Sequence, residues 1–205
     1  MSKIAIDVVL LPSEEMMDKA IEINQKQLIK YKGEVVFNKQ NCLPHISLIM
    51  GAINKEDIPA ISNILKKIAS GFKIFNLIAD GYRSPLIPSG EIYSEYTVKN
   101  TKELQRLHET IIKKLNRFLT YNITIDMLCS SPAFDKTTLL FIKNYLKNSS
   151  YKNFEPHISL GVGKTENVAT PIAFTASTLA LCHLGNYCTC RKILFSTNLS
   201  SPIAV

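Results

Sequence analysis

The chain has 205 residues, 46% of them hydrophobic and 20% charged, with a formal net charge of +7 at pH 7. That apolar content excludes a disordered chain, and the length suffices for one large domain or two small lobes with a real core. No apolar run reaches the roughly 18 residues of a membrane span. The positive balance suits anionic partners, nucleic acid among them, although no block of like charges occurs.

Ile4 to Leu11, rich in Ile, Val and Leu, reads as a first strand. Asp7 interrupts its apolar run and no small-residue cleavage site follows, so the N-terminus reads as a strand and not as a leader, and a cytoplasmic protein is expected. Pro12-Ser13 opens a helix with Ser13 as its N-cap and Glu14 and Glu15 near the positive end of its dipole. The helix runs to about Tyr31, with Gly33 as its stop. His45 to Met50 is a second strand that begins just after Pro44, a residue tolerated at a strand's start and not in its middle.

Lys55 to Ala69 is predicted as a second helix, with Ile58, Ile61, Leu65 and Ile68 on one face and Gly71 at its end. Phe72 to Ala79 and Glu91 to Val98 read as strands, separated by the loop DGYRSPLIPSG. A third helix, Thr101 to Phe118, carries Leu104, Leu107, Ile111 and Leu115 on one stripe. Asn122 to Leu128 is expected as a strand and Asp135 to Lys147 as a fourth helix, followed by a strand over His157 to Val162. The chain closes with a hairpin, Phe174 to Leu184 and Tyr187 to Thr197, around a two-residue Gly185-Asn186 turn that would set His183 opposite Cys188. Cys42, Cys129, Cys182, Cys188 and Cys190 are odd in number and form no CxxC pair. They read as small apolar residues in a reducing compartment, without a disulfide framework or a common zinc site.

Two halves emerge from this order. The first runs strand, helix, strand, helix, strand, and the second starts at strand 91–98 and helix 101–118. Each half contains the same five residues: Pro44-His45-Ile46-Ser47-Leu48 and Pro156-His157-Ile158-Ser159-Leu160, 157 − 45 = 112 residues apart. On a strand, side chains at i and i+2 share a face. His45 and Ser47 therefore project together, as do His157 and Ser159, while the Ile and Leu of each motif suit a core. Two imidazoles can divide acid–base work, one taking a proton from a nucleophile and the other protonating a leaving group. Hydroxyls can donate to non-bridging phosphate oxygens. In-line attack on a phosphodiester, without a covalent nucleophile or a metal, is the chemistry that fits. Two His alone would leave a tetrahedral zinc site short of ligands.

The doubled motif resembles that of the 2H phosphoesterase superfamily, which includes 2′-5′ RNA ligase-like proteins and 2′,3′-cyclic phosphodiesterases. EIYSEYTVKNTKELQRLHETIIKKL resembles the family's strand-then-helix segment between the motifs, and FTASTLALCHLGNYCTCRKIL its closing hairpin. The resemblance implies an α+β fold with two lobes, each an antiparallel sheet backed by helices, and an active-site cleft between them. It implies a single such domain over residues 1–205. His45 and His157 carry over as the acid–base pair and Ser47 and Ser159 as phosphate-binding hydroxyls. Ser at both hydroxyl positions lacks the methyl that stiffens the Thr found in many members.

The expected function is metal-independent hydrolysis or ligation at RNA ends or on small nucleotides, with no cofactor and no membrane partner, in a monomer. A non-catalytic nucleotide- or RNA-binding module on the same fold is the alternative, and a metal-dependent hydrolase a third reading. Arg83, in the Gly/Pro-rich loop, and Lys164, after the second motif, are candidate phosphate contacts. Phe154 is a candidate base-stacking residue, with Tyr82 and Tyr151 more remote possibilities. His108 and His183 are expected to be structural.

Overall fold

The computed structural model describes residues 2–87, 90–129, 136–165 and 168–201. Its strands are β1 (Lys3–Pro12), β2 (Ile46–Asn54), β3 (Phe75–Arg83), β4 (Tyr93–Val98), β5 (His157–Val162), β6 (Ile172–Leu184) and β7 (Cys190–Asn198). Its helices are α1 (Glu14–Tyr31), α2 (Ile58–Ala69), α3 (Lys102–Leu115), α4 (Lys136–Lys143) and α5 (Tyr145–Asn148). The strands form one antiparallel sheet in the order β2-β1-β6-β3-β4-β5, with β7 also paired to β6. The α+β, antiparallel and helix-backed expectation is thus met.

Strand β6 ties the two halves into a single hydrogen-bonded sheet. Its first residues, Ile172 to Ala176, pair with β3, and its later ones pair with β1 and β7. The motif strands β2 and β5 are the two ends of the order, yet the sheet curls until they approach each other. A twisted sheet of this width coils naturally, and here the coiling brings sequence-distant edges together.

The helices are exchanged between the halves. Helix α1 follows β1 but packs on β5, the motif strand of the second half. Helix α3 follows β4 but packs on β2, the motif strand of the first half. The stripe Leu104, Leu107, Ile111 and Leu115 is buried as its spacing demands, and Thr101 caps α3 by accepting the Leu104 N–H at 3.2 Å. The motif residues Ile46, Leu48, Ile158 and Leu160 are fully buried in the same core. Each such side chain contributes about 1.5–3 kcal/mol relative to exposure, which fixes the register of the strands that carry the histidines.

Several sequence expectations shift. Residues 122–128 form a 3-10 turn, Ile125–Met127, and not a strand; the nearby Thr120 bonds Ala52 at the end of β2 in an isolated bridge. Asp135 lies outside the described residues, and the fourth helix breaks at Asn144, whose side chain bonds the Leu140 carbonyl and competes with the helix ladder. Ser13 occupies the N-cap position of α1 without a side-chain cap bond. The closing hairpin has no two-residue turn. A 3-10 turn over Asn186–Cys188 replaces it, with Tyr187 and Cys188 left-handed, because Asn186 is buried and accepts from Thr138 at 2.9 Å. His183 consequently pairs with Lys192 instead of Cys188. Cys182 and Cys190 form a disulfide within that hairpin, correcting the expectation of five thiols: Cys190 pairs with Leu184, which sets it on the same face as Cys182, with the two Cα atoms 5.6 Å apart.

Candidate active site

The repeat Pro-His-Ile-Ser-Leu is a repeat of backbone geometry. Along β1 and β2, Val8 pairs with Ile49 and Val9 with Ser47, so Leu48 is skipped. Along β4 and β5, Ser94 pairs with Gly161 and Glu95 with Ser159, so Leu160 is skipped. Both motifs therefore end on a β-bulge at the same Leu, and bulges bend a strand and re-aim its side chains.

The histidines are held alike. The Nδ1 of His45 meets the Leu43 carbonyl at 2.7 Å, and the Nδ1 of His157 meets the Glu155 carbonyl at 2.9 Å, each two residues back. A carbonyl can only accept, so each Nδ1 carries a proton and each Nε2 is left for other chemistry. Each Nε2 lies near a carboxylate on the adjacent strand, Asp7 at 3.6 Å from His45 and Glu95 at 3.5 Å from His157.

The surroundings then differ. Asp7 is fully buried and also accepts the Ser47 hydroxyl at 2.6 Å. Burial raises the Asp7 carboxyl above the ordinary carboxylate range, and the nearby His45 imidazole and the Ser47 hydroxyl only partly oppose this. Glu95 is shared with a cation: Arg83 donates to it through Nε and to Glu155 through Nη1 at 2.5 Å. By register, the counterpart of Asp7 on β4 is Tyr93, which approaches Ser159 and whose phenol is raised by burial, while the counterpart of Glu95 on β1 is Val9.

His45, Ser47, His157 and Ser159 line one cavity of about 580 Å³. Phe141 of α4, Tyr145 of α5, Asn148, Ser149, Lys152 and Tyr187 of the final loop line it as well. Arg83 reaches this cavity, but with both carboxylates on its guanidinium. Phe154 borders it while stacking on the His108 ring, centroids 3.9 Å apart and planes within 4°. Lys164 does not border it. It lines a separate cavity of about 450 Å³ beside Lys19, Lys26 and Lys30 of α1, and its carbonyl accepts the Tyr31 hydroxyl at 3.2 Å. Tyr82 and Tyr151 are absent from the described residues that line the histidine cavity. His108 and His183 lie outside it as well, each bonded to backbone, which fits the structural reading of both. Among the described residues, no cluster of three His, Cys, Asp or Glu is placed to hold a metal ion.

Asp7 and Glu95 are the site residues that motif spacing does not reveal. Their signal in the sequence is a lone carboxylate inside an apolar strand, IAIDVVL and YSEYTV, where burial without a partner is costly.

No protein-family model and no curated protein sequence matches the chain. Solved structures do. E. coli LigT in apo form aligns over 98% of this chain and 99% of its own, at 16% identity and a TM-score of 0.58. TT0787 of Thermus thermophilus aligns over 96% of this chain and 98% of its own, at 16% identity and a TM-score of 0.64. E. coli LigT complexed with 3′-AMP matches at 15% identity over 97% of this chain and 99% of its own, with a TM-score of 0.58. The fold implied by the doubled motif is therefore the fold observed, over nearly the whole chain.

Proposed function

We propose that the protein is a phosphoesterase of nucleotides or RNA ends, using His45 and His157 as an acid–base pair. The observation that carries this reading is the pair of like-held imidazoles, each Nδ1 tied to a carbonyl two residues back, bordering one cavity on a LigT-like fold. One Nε2 takes a proton from water or a ribose hydroxyl as it attacks phosphorus. The other imidazole, protonated, delivers its proton to the departing ribose oxygen, and the roles reverse for ligation. Ser47 and Ser159 donate to the non-bridging oxygens, where negative charge builds. Ser47, which donates to Asp7 in the resting site, turns its proton from that carboxyl to phosphate when substrate binds. The LigT structures with 3′-AMP, with phosphate and with ATP support a nucleotide-sized anionic ligand. The substrates are accordingly a nucleoside 2′,3′-cyclic phosphate or a 2′-5′ phosphodiester.

The test is turnover of the four nucleoside 2′,3′-cyclic phosphates and of 2′-5′ dinucleotides in EDTA, with products separated to show which bond broke. His45→Ala and His157→Ala should each lose about 10²-fold or more in kcat. Turnover that survives both single substitutions refutes the mechanism. RNA binding without turnover on any substrate, weakened by salt, establishes the non-catalytic module instead.

A further inference from the structure

Two buried polar side chains outside the cavity make matching connections across the duplication. Asn24, on α1, donates through Nδ2 to the carbonyl of Leu160 at 3.1 Å and of Val35 at 2.9 Å, and accepts the Phe37 N–H through Oδ1 at 2.8 Å. His108, on α3, meets the carbonyl of Leu48 through Nδ1 at 2.7 Å and accepts the Tyr151 N–H through Nε2 at 3.0 Å. Leu48 and Leu160 are the two bulged residues, each skipped in the pairing of its motif strand. Each helix thus reaches the bulge of the other half's motif and holds, with its remaining atom, the loop that leads to its own half's motif. Phe37 lies 45 − 37 = 8 residues before His45, and Tyr151 lies 157 − 151 = 6 before His157.

The chemistry of each contact is fixed. The Tyr151 N–H can only donate, so Nε2 of His108 holds its lone pair and Nδ1 carries the proton given to Leu48. Both side chains are almost wholly buried, 1% exposed for Asn24 and 0% for His108. A bulge leaves its extra residue without a ladder partner, and a buried carbonyl there needs a donor. Two unlike residues, an amide and an imidazole, fill the same office at equivalent places, which a packing requirement alone does not demand.

We propose that Asn24 and His108 are a pair of positioning residues that set the aim of the histidine motifs across the duplication: His108 fixes the bulge that orients His45 and Ser47, and Asn24 the bulge that orients His157 and Ser159. The kinetic part rests on the phosphoesterase reading above; the structural part does not. Substitutions can divide the bonds. His108→Asn keeps a donor near the Nδ1 position and gives up the bond from Tyr151. His108→Gln keeps an acceptor near the Nε2 position and gives up the bond to Leu48. Asn24→Ala gives up all three of its bonds.

The first readout is the imidazole NMR of the folded protein, which has four histidines in all. His108→Gln should move the ring signals of His45 and leave those of His157. Asn24→Ala should move those of His157 more than those of His45, whose loop also loses the Phe37 bond, and His108→Asn should leave both in place. The second readout is kinetic: His108→Gln and Asn24→Ala should lower kcat by about tenfold or more with KM held, as small misplacements of a reacting group do, while His108→Asn keeps kcat. Signals of both histidines moving alike in each variant, or in neither, overturn the proposal, as does His108→Asn behaving like His108→Gln. The crossed pattern in a protein without turnover on any nucleotide leaves the positioning roles standing and removes the phosphoesterase reading. Turnover without the crossed pattern does the opposite. Should His108→Gln fail to fold, His108→Ala carries the His45 arm: it gives up the Leu48 bond that His108→Asn keeps, and should move the His45 signals where His108→Asn does not.

Discussion

Replacing Arg83 with Met isolates the cation that serves the His157 side of the site. Arg83 donates to Glu95 and to Glu155, whose side chains are 8% and 68% exposed, and is itself 43% exposed. Breaking a fully buried ion pair costs about 3–5 kcal/mol, because a charge is left desolvated and unpaired. An exposed pair is worth about 0.2–1 kcal/mol. Water reaches Arg83, so the Glu95 bond is expected to lie between these limits, at about 1.5 kcal/mol, and the Glu155 bond at about 0.5 kcal/mol. The sum, about 2 kcal/mol, should lower Tm by about 4–8 °C in a chain of this size. The assay is urea and thermal unfolding followed by far-UV circular dichroism, since the chain has no Trp. Double-mutant cycles then apportion the loss. The coupling of Arg83→Met with Glu95→Gln should be about three times that with Glu155→Gln, from the two energies above. Arg83→Lys should recover little, because an ammonium cannot present a fork to two carboxylates. A Glu155 coupling equal to or larger than that of Glu95 refutes the reasoning.

Gly161 sits at φ +111°, and a Cβ there would stand 2.4 Å from Nδ2 of Asn24. Gly161→Ala should therefore cost about 3 kcal/mol or more in urea unfolding, from backbone strain together with loss of the Asn24 bonds, and a change under about 0.5 kcal/mol contradicts this. Burial lowers the His108 pKa against the bond to Leu48, so folding favours the neutral imidazole, whereas the unfolded group protonates near pH 6.5. Its contribution is present above that value and is lost as pH falls toward the folded pKa. His183 is shifted the same way, chiefly by burial. Wild-type stability should accordingly fall as pH drops below about 6.5, and the fall should be shallower in His108→Asn; equal slopes in both proteins argue against it. Thiol titration of denatured, unreduced protein should find 5 − 2 = 3 thiols, and Cys190→Ser should cost about 2 kcal/mol through the loop that the disulfide closes. Five thiols would remove the disulfide.

The motif pair was legible because hydrophobic alternation and polar exception are both local patterns. Ile46, Leu48, Ile158 and Leu160 announce buried strands, and His and Ser at alternate positions announce a polar face on them. The strands β1, β2, β4 and β5 and the helices α1, α2 and α3 follow from the same local signals. Residues 122–128 misled because Ile123 and Ile125 alternate with polar residues, as a strand would, while the isolated bridge to β2 falls before that segment, at Thr120. The closing turn misled because a Gly-Asn pair is a good local turn, and the buried bond between Thr138 and Asn186 overrides it from 48 residues away.

By itself the sequence determined the repeated element and its chemistry: two strands, each with one imidazole and one hydroxyl on one face. Only the tertiary structure decided what each imidazole meets. Asp7 and Glu95 lie on neighbouring strands at non-equivalent register positions, one in full burial and the other shared with Arg83. It also decided that the sheet is continuous through β6 and that each half's helix steadies the other half's bulge. Side-chain periodicity is a property of a few residues in a row and survives in the sequence. Pairing register, burial of a charge and contacts between residues 60 or 136 positions apart exist only once the chain has folded back on itself.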